Sequence, residues 1–332
     1  MGQLPGLLEE SSGRRALLHV FRAEHLPVEL ASKPEQLLPV ASLVSLFERA
    51  GRVANDRCFG LRVGLGMTVE SYGAWGVYCA SAPTLGEALQ RNINGIRFHQ
   101  TGGYMSLEPM ADGVRWGYHH PAPHRGVTQH ADHILPTMLK FVRAYLGDDW
   151  QPEHLDVCYP RDPLAYQLEH ELGIPIKFNS TCTGFAIKQA HLAVRRRNML
   201  PVARQLTDID FLEKYSSRVD NSVLMSIRHI IYLRLIGRKS DLEGAARLAR
   251  IGPRSLQRAL RSEGTTYREL LEQVRMQRAI GLVHDTDHRI GEIAFALGYD
   301  KPGNFTRAFR RMTGRSPNEL RQRRAQNPIV TL

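Results

Sequence analysis

An internal repeat in the last third of the chain constrains its fold more than any other feature. Leu242-Glu243-Gly244-Ala245-Ala246-Arg247-Leu248-Ala249 aligns with Ile290-Gly291-Glu292-Ile293-Ala294-Phe295-Ala296-Leu297 at a shift of 48 residues, apolar position on apolar position. Beyond a short turn, Leu256-Gln257-Arg258-Ala259-Leu260 aligns with Phe305-Thr306-Arg307-Ala308-Phe309 at a shift of 49. The second turn is therefore one residue longer. Two helices joined by a tight turn, made twice, predict a tandem helix-turn-helix.

Helix boundaries around the repeat are marked by capping residues. Ser240-x-x-Glu243, Thr266-x-x-Glu269 and Ser316-x-x-Glu319 have capping-box spacing, the last with Pro317 at the first helical position. Gly252-Pro253 and Lys301-Pro302 open the second helix of each unit. On the first such helix, Leu256, Ala259 and Leu260 point inward, and Arg254, Gln257, Arg258 and Arg261 share the outer face. On its counterpart, Phe305, Ala308, Phe309 and Met312 are the expected inner face, and Gly303, Thr306, Arg307 and Arg310 the outer one. Arg and Gln are the side chains that contact guanine and adenine edges bidentately in a major groove. A solvated polar face would look the same on one helix; two copies in register, with Arg258 equivalent to Arg307, favour recognition helices. Between the units, Tyr267 to His284 reads as one strut of roughly 27 Å.

Charge agrees. The net charge is +11, and residues 218–325 hold 22 Lys/Arg against 11 Asp/Glu, so the rest of the chain is neutral. A basic domain beside a neutral one is the electrostatic footprint of a nucleic-acid binder, and the expected partner is double-stranded DNA. No apolar run reaches the roughly 18 residues of a membrane span, and Met1 to Glu10 lacks a basic signal-peptide start, so a cytoplasmic protein without a membrane partner is expected. Cys58, Cys79, Cys158 and Cys182 stand far apart, which favours buried free thiols over a zinc site or disulfide framework.

Within the same region, Arg275-x-x-Arg278-Ala279, Ile293-Ala294-x-x-Leu297-Gly298-Tyr299, Phe305-x-Arg307-x-Phe309 and Gly314-x-Ser316-Pro317 resemble the signature of AraC-type (AraC/XylS) regulators over about 218–324. The resemblance implies that both recognition helices enter successive major grooves. By position it implies base contact by Arg254, Gln257 and Arg258, and by Asn304, Thr306 and Arg307. It also implies RNA polymerase as a partner, a homodimer, and activation of transcription. Two departures concern the first turn, where Arg250 stands in place of the family's usual Gly and Gly252 in place of Ser. Pro302-Gly303 also leaves the second recognition helix with a bare first turn.

Residues 1–200 read as mixed α/β. Pro39 to Arg52 and the helix opened by Thr84-Leu85-Gly86-Glu87 are amphipathic, and Ala111-Asp112-Gly113 joins a hairpin of Tyr104–Glu108 and Val114–Tyr118. His133 to Leu146 is helical despite Pro136, and a helix runs from Asp162-Pro163 to Gly173. His154–Tyr159, Ile174–Asn179 and Gly184–Gln189 are strand candidates. Gly60-Leu61-Arg62-Val63-Gly64, Ala82-Pro83-Thr84-Leu85-Gly86-Glu87-Ala88-Leu89, Trp150-x-Pro152 and Phe178 resemble the arabinose-binding-like effector domain of one AraC branch. That resemblance implies a small-molecule sensor that also dimerises, without making arabinose its ligand.

Arg115, Trp116, Tyr118 and His119 are the effector-binding candidates; on an alternating strand they are otherwise half-buried structural residues. His119, His120, His124, His130 and His133 cluster, but no Cys, Asp or Glu completes a metal set, and surface or effector-contacting histidines are expected instead. Gly60-x-x-x-Gly64-x-Gly66 lacks the Lys-Ser/Thr of a phosphate loop and reads as a turn. No cofactor or catalytic residue is expected. A repair enzyme fused to a DNA-binding module would need an activated thiol, and Cys58 and Cys158 have only Arg57 and Arg161 nearby. A constitutive regulator whose N-terminal domain only dimerises is a further alternative. The expected architecture is an α/β sensing and dimerisation domain over 1–200, a linker over 201–217, an all-α tandem helix-turn-helix domain over 218–325, and a tail over 326–332.

Overall fold

A computed structural model describes residues 1–33, 36, 38–100, 102–120, 126–196 and 223–326. The chain forms two compact units, Met1–Glu24 with Ala31–Asp220, and His25–Leu30 with Asn221–Leu332. The expected linker and all but the first residue of the tail lie outside the described residues.

In the first unit, α1 (Leu4–Ala23), α2 (Val40–Val53), α3 (Phe59–Leu65), α4 (Gly73–Ala80) and α5 (Leu85–His99) precede the hairpin β1 (Tyr104–Met110) and β2 (Gly113–His119). Then come α6 (Thr128–Leu146), β3 (Leu155–Asp156), α7 (Ala165–Leu172), β4 (Ile176–Lys177), β5 (Thr183–Lys188) and α8 (Gln189–Leu192). The sheet order is β1-β2-β5-β3-β4. β2 pairs antiparallel with β1 and β5, with Trp116 opposite Leu107 and Phe185. β3 pairs parallel with β4 and antiparallel with β5. Alternation along β2 sends Trp116 and Tyr118 into a core shared with α4, α5 and α6.

The Thr84 cap is present, its hydroxyl accepting from Glu87 N. α7 begins at Ala165, later than the Asp162-Pro163 pair suggested, although Asp162 still accepts from Leu164 N at 2.9 Å. The candidates His154–Tyr159 and Ile174–Asn179 shrink to the two-residue β3 and β4, whereas Gly184–Gln189 is met by β5, shifted by one residue. The Gly60-to-Gly66 stretch is a helix rather than a turn, and its glycines serve packing. A Cβ on Gly60 would sit 1.9 Å from the Gln129 carbonyl oxygen, and one on Gly64 2.2 Å from that of His133. Bare glycine therefore lets α3 lie backbone to backbone against α6. The partnership is locked at Gln129, whose side chain accepts from Gly60 N at 2.7 Å and donates to Arg57 O at 3.0 Å.

In the second unit, α9 (Val223–Ile236) precedes α10 (Leu242–Leu248), α11 (Pro253–Ser262), α12 (Tyr267–Asp285), α13 (Ile290–Ala296), α14 (Pro302–Thr313) and α15 (Pro317–Gln326). α10–α11 and α13–α14 are the two helix-turn-helix units, and α12 is the strut. Full capping boxes form at Thr266/Glu269 and Ser316/Glu319. The third expected box is displaced: Asp241, not Ser240, caps α10 by accepting from Gly244 N at 2.6 Å. A carboxylate there both satisfies a free N–H and meets the positive end of the helix dipole.

The two turns repeat bond for bond. Arg250 N donates to Arg247 O and Ile251 N to Ala246 O; Gly298 N donates to Phe295 O and Tyr299 N to Ala294 O, all at 3.0 Å. Each turn needs one left-handed residue, Arg250 at φ 57° and Gly298 at φ 76°. An L side chain in that region costs on the order of 1 kcal/mol. Arg250→Gly is therefore expected to raise the unfolding free energy of this unit by roughly 0.5–1 kcal/mol after glycine's own entropy cost. Gly298→Ala should lower it by about 1 kcal/mol. Denaturant titration of both variants checks this, and a less stable Arg250→Gly protein would contradict it.

Candidate nucleic-acid interface and effector cavity

The second helix of each helix-turn-helix unit is anchored by one apolar face and bare on the other. On α11, Leu256 and Leu260 are fully buried, Ala259 is half-buried, and Arg254, Gln257, Arg258 and Arg261 are exposed. On α14, Phe305, Ala308 and Phe309 are buried, while Asn304, Arg307, Arg310 and Arg311 are exposed and Thr306 half-buried. Met312 was expected inside but is 43 % exposed. It sits in the last turn, beyond the reach of the core closed by Phe305 and Phe309.

The outer side chains are partly ordered before any DNA arrives. Arg307 Nη2 donates to Asn304 Oδ1 at 2.7 Å, and Thr306 Oγ1 donates back to Pro302 O at 3.2 Å. Pro302 and Gly303 are exposed, so the first turn of α14 offers no side-chain donor. α11, by contrast, presents Arg254 in its first turn.

Two arginines outside the recognition helices hold the units in place. Arg275 on α12 donates to Glu272 at 2.9 Å and to Gly298 O at 3.3 Å, and lies over the Tyr299 ring at 5.0 Å. Tyr299 Oη donates to the same Glu272 at 3.0 Å, so the strut grips the second turn at its left-handed residue. Arg234 on α9 is buried and paired with Asp241, the α10 cap. The signature quoted above contains Arg275, but periodicity alone assigned it no role. Arg234 sits in an apolar stripe and gave no signal.

In the first unit, a cavity of about 170 Å³ lies between α4, α5, α6 and the inner face of β1–β2. Aromatic residues dominate its wall: Tyr72, Trp75, Trp116, Tyr118 and Phe141. His99, His130 and His133 also line it. Burial pushes His99 and His133 down to about 4 and lowers His130 well below its usual range, so all three are neutral at physiological pH. Burial pushes Tyr72 and Tyr118 up to about 12. Tyr118 Oη accepts from Gln100 Nε2 at 2.8 Å. The indole N–H groups of Trp75 and Trp116 and Nδ1 of His130 are buried without a hydrogen-bond partner.

The four effector candidates are divided by the strand. Trp116 and Tyr118 line the cavity; Arg115 and His119 point to the other face of the sheet. There Arg115 faces Asp156 at 3.4 Å and Glu108 at 3.8 Å. His119 stacks on Tyr104 and meets Ser106 Oγ at 2.8 Å. Alternation on β2 fixes this split, and choosing four nearly consecutive residues ignored it. His130 and His133 are buried on α6 rather than on the surface, because the helix begins at Thr128 and turns both toward Phe47. His124 lies outside the described residues.

No group of three or more potential metal ligands occurs among the described residues. All four cysteines are buried and unbridged. Burial pushes Cys58 and Cys182 up to about 11 and raises Cys79 and Cys158 as well, the opposite of an activated nucleophile. Arg57, adjacent to Cys58, is taken up by Asp132 and Asp162. No helix among the described residues is long and apolar enough to cross a membrane.

Comparison with known proteins agrees with both units. Residues 16–195 match the family described as the arabinose-binding domain of AraC transcription regulator, N-terminal, and residues 245–323 match a helix-turn-helix domain family. The chain is 26 % identical over 324 residues to the ornithine utilization regulator of Pseudomonas aeruginosa, covering 95 % of this chain and 92 % of that protein. It is 25 % identical over 193 residues to the transcriptional regulator VqsM of the same organism, covering 58 % and 59 %. Among solved structures, the transcriptional regulator CdpR from Pseudomonas aeruginosa aligns over 93 % of this chain and 97 % of its own, with 23 % identity and a TM-score of 0.39. The chain belongs to the AraC-type transcription regulators that carry an arabinose-binding-like N-terminal domain, and it is a DNA-binding regulator of transcription.

Proposed function

We propose that this regulator reads DNA with α11 and α14 and answers to a small molecule held in the cavity of its first unit. The observation that carries the DNA half is the pair of arginine-bearing outer faces, equivalent in the repeat and each seated on a fully buried apolar base. Arg254, Gln257, Arg258 and Arg261 on α11, and Asn304, Thr306, Arg307 and Arg310 on α14, are the proposed contacts. Arg258 and Arg307 read base edges, and Arg261 and Arg310, further along each helix, hold phosphates. The excess of basic residues confined to 218–325 supplies the non-specific attraction that precedes reading.

The effector half rests on the cavity, among whose lining residues the indole N–H groups of Trp75 and Trp116 and Nδ1 of His130 are buried without a hydrogen-bond partner. Of the four candidates, Trp116 and Tyr118 stay in the proposed site; Arg115 and His119 belong to the opposite face of the sheet. The sensing unit spans 1–200 and the DNA-binding unit 218–325. The family supports a homodimer that contacts RNA polymerase and activates transcription.

Effector response is a coupling free energy, so binding at one site must change affinity at the other. The full chain, bound to a selected DNA site, should change its affinity roughly 5–150-fold when a protein-free extract of small metabolites is added, and the extract should also raise its melting temperature. Unchanged DNA affinity together with unchanged melting would count for a constitutive regulator.

A further inference from the structure

Building on the effector reading above, we infer that the cavity takes a small, flat, largely apolar molecule bearing oxygen acceptors and at most one negative charge, and that it excludes amino acids and amines. Its size limits the guest. About 170 Å³ is comparable with cavities of about 150 Å³ that admit benzene. One substituted ring fits in that space.

The chemistry of the wall sets the rest. The indole N–H groups of Trp75 and Trp116 are donors only, and both lie buried without a protein acceptor. The ring of Trp75 is stacked on His99 at 4.7 Å, and Trp116 is wedged against Phe141 and Phe185. Neither indole can easily turn to find another partner. A buried donor left unmade costs on the order of 1–3 kcal/mol; both indole nitrogens are closed off by their neighbours, so a guest that shifts the wall and offers an acceptor to either is favoured. Ring faces around the cavity suit a planar body.

Charge argues against an ammonium. Among the described residues no Asp or Glu lines the cavity, and its three histidines are neutral. The ionised groups at its lining are cations: the amino group of Met1, and Lys140, exposed at the edge and donating to the carbonyls of Leu65 and Met67. An ammonium brought inside would be desolvated with no counter-charge and would face two donors. A lone carboxylate, in contrast, has Lys140 at the rim. The whole-length relative named for ornithine utilization therefore shares the fold without dictating the ligand class.

The test uses isothermal titration and thermal melting of the full chain. The probes are 4-hydroxyacetophenone and benzoate, set against L-ornithine, L-arabinose and choline. Saturable binding of an aromatic probe with a raised melting temperature, and no response to the other three, is expected. Trp116→Phe and Trp75→Phe keep a ring and remove one donor each. At least one of them should weaken that binding roughly five-fold, the worth of a neutral hydrogen bond. Because two separate variants are used, misfolding of one leaves the other informative. Saturable binding of L-ornithine, L-arabinose or choline in preference to the aromatic probes would overturn the assignment, as would aromatic binding unaffected by either variant. If no probe binds but the metabolite extract still shifts DNA affinity, the ligand class fails and the effector reading stands; if neither responds, both fail.

Discussion

Asp132→Leu is expected to destabilise the first unit by about 3–5 kcal/mol, enough to abolish much of a domain's stability. Asp132 is fully buried on α6 and paired with Arg57, itself only 7 % exposed. The same carboxylate accepts from Tyr159 Oη, and Arg57 also reaches Asp162 at 2.8 Å and Tyr159 Oη at 3.3 Å. This network ties the segment before α3, the first turns of α6 and the segment after β3 together. Removing Asp132 leaves a guanidinium that cannot shed its charge. Arg57→Leu should cost less, because the orphaned carboxyl can take a proton. Burial already pushes Asp132 up to about 6 despite its cationic partner, and loss of Arg57 would raise it further. A carboxyl whose folded pKa is raised binds a proton more tightly in the folded state, so its contribution is fully present below its unfolded pKa and is lost as pH rises through the folded one. The Arg57→Leu protein should therefore be closer to wild type at pH 5 than at pH 8. The double Leu variant should recover much of the loss of Asp132→Leu. Urea titrations at the two pH values decide it. Equal cost for both single variants at both pH values would show that the charges do not govern this site.

Arg258→Ala should weaken specific DNA binding by about 1–3 kcal/mol, the cost of a bidentate base contact, and should relax preference at one base pair. Arg258 projects from the exposed face of α11 between Arg254 and Arg261, with Leu256 and Leu260 locking the helix beneath it. A phosphate-binding arginine would behave differently. Its loss would weaken all sequences alike and reduce the salt dependence by about one released counterion. Arg258→Ala should thus leave the salt slope nearly unchanged, whereas Arg310→Ala should lower it. Fluorescence anisotropy with specific and scrambled duplexes across a salt series separates the two. A uniform loss with a reduced slope for Arg258→Ala would move that residue to the phosphate class.

The second unit was legible in the sequence because it is written twice. Each apolar position of α10 has its echo in α13, and capping residues punctuate both ends. What misled was local competition: Ser240 and Asp241 are both good caps, and the carboxylate takes the role. Met312 has the spacing of a core residue, but the core ends one turn earlier. Arg250 is the reverse case. It departs from the family's usual glycine, and the structure shows the turn intact with a left-handed arginine in it. The first unit was less legible because its organising contacts are long-range. Gly60 and Gly64 suggested a turn locally and become a helix only because α6 presses against them. α1 carries no cap or clear period and was not anticipated. The cavity depends on residues from α2, α4, α5, α6 and β2 meeting in space, so only Trp116 and Tyr118 on the strand and the cluster containing His130 and His133 pointed to it beforehand.

Binding-site selection from random duplexes, run in parallel on the full-length protein and its Arg258→Ala variant at one salt concentration, tests the central claim most directly. Two recognition helices on one chain predict a wild-type motif of two blocks with centres about 10–10.5 base pairs apart. The variant's motif should keep both blocks and lose information at a base pair within one of them. A wild-type motif with a single block, or the same motif and affinity for both proteins, would contradict the account.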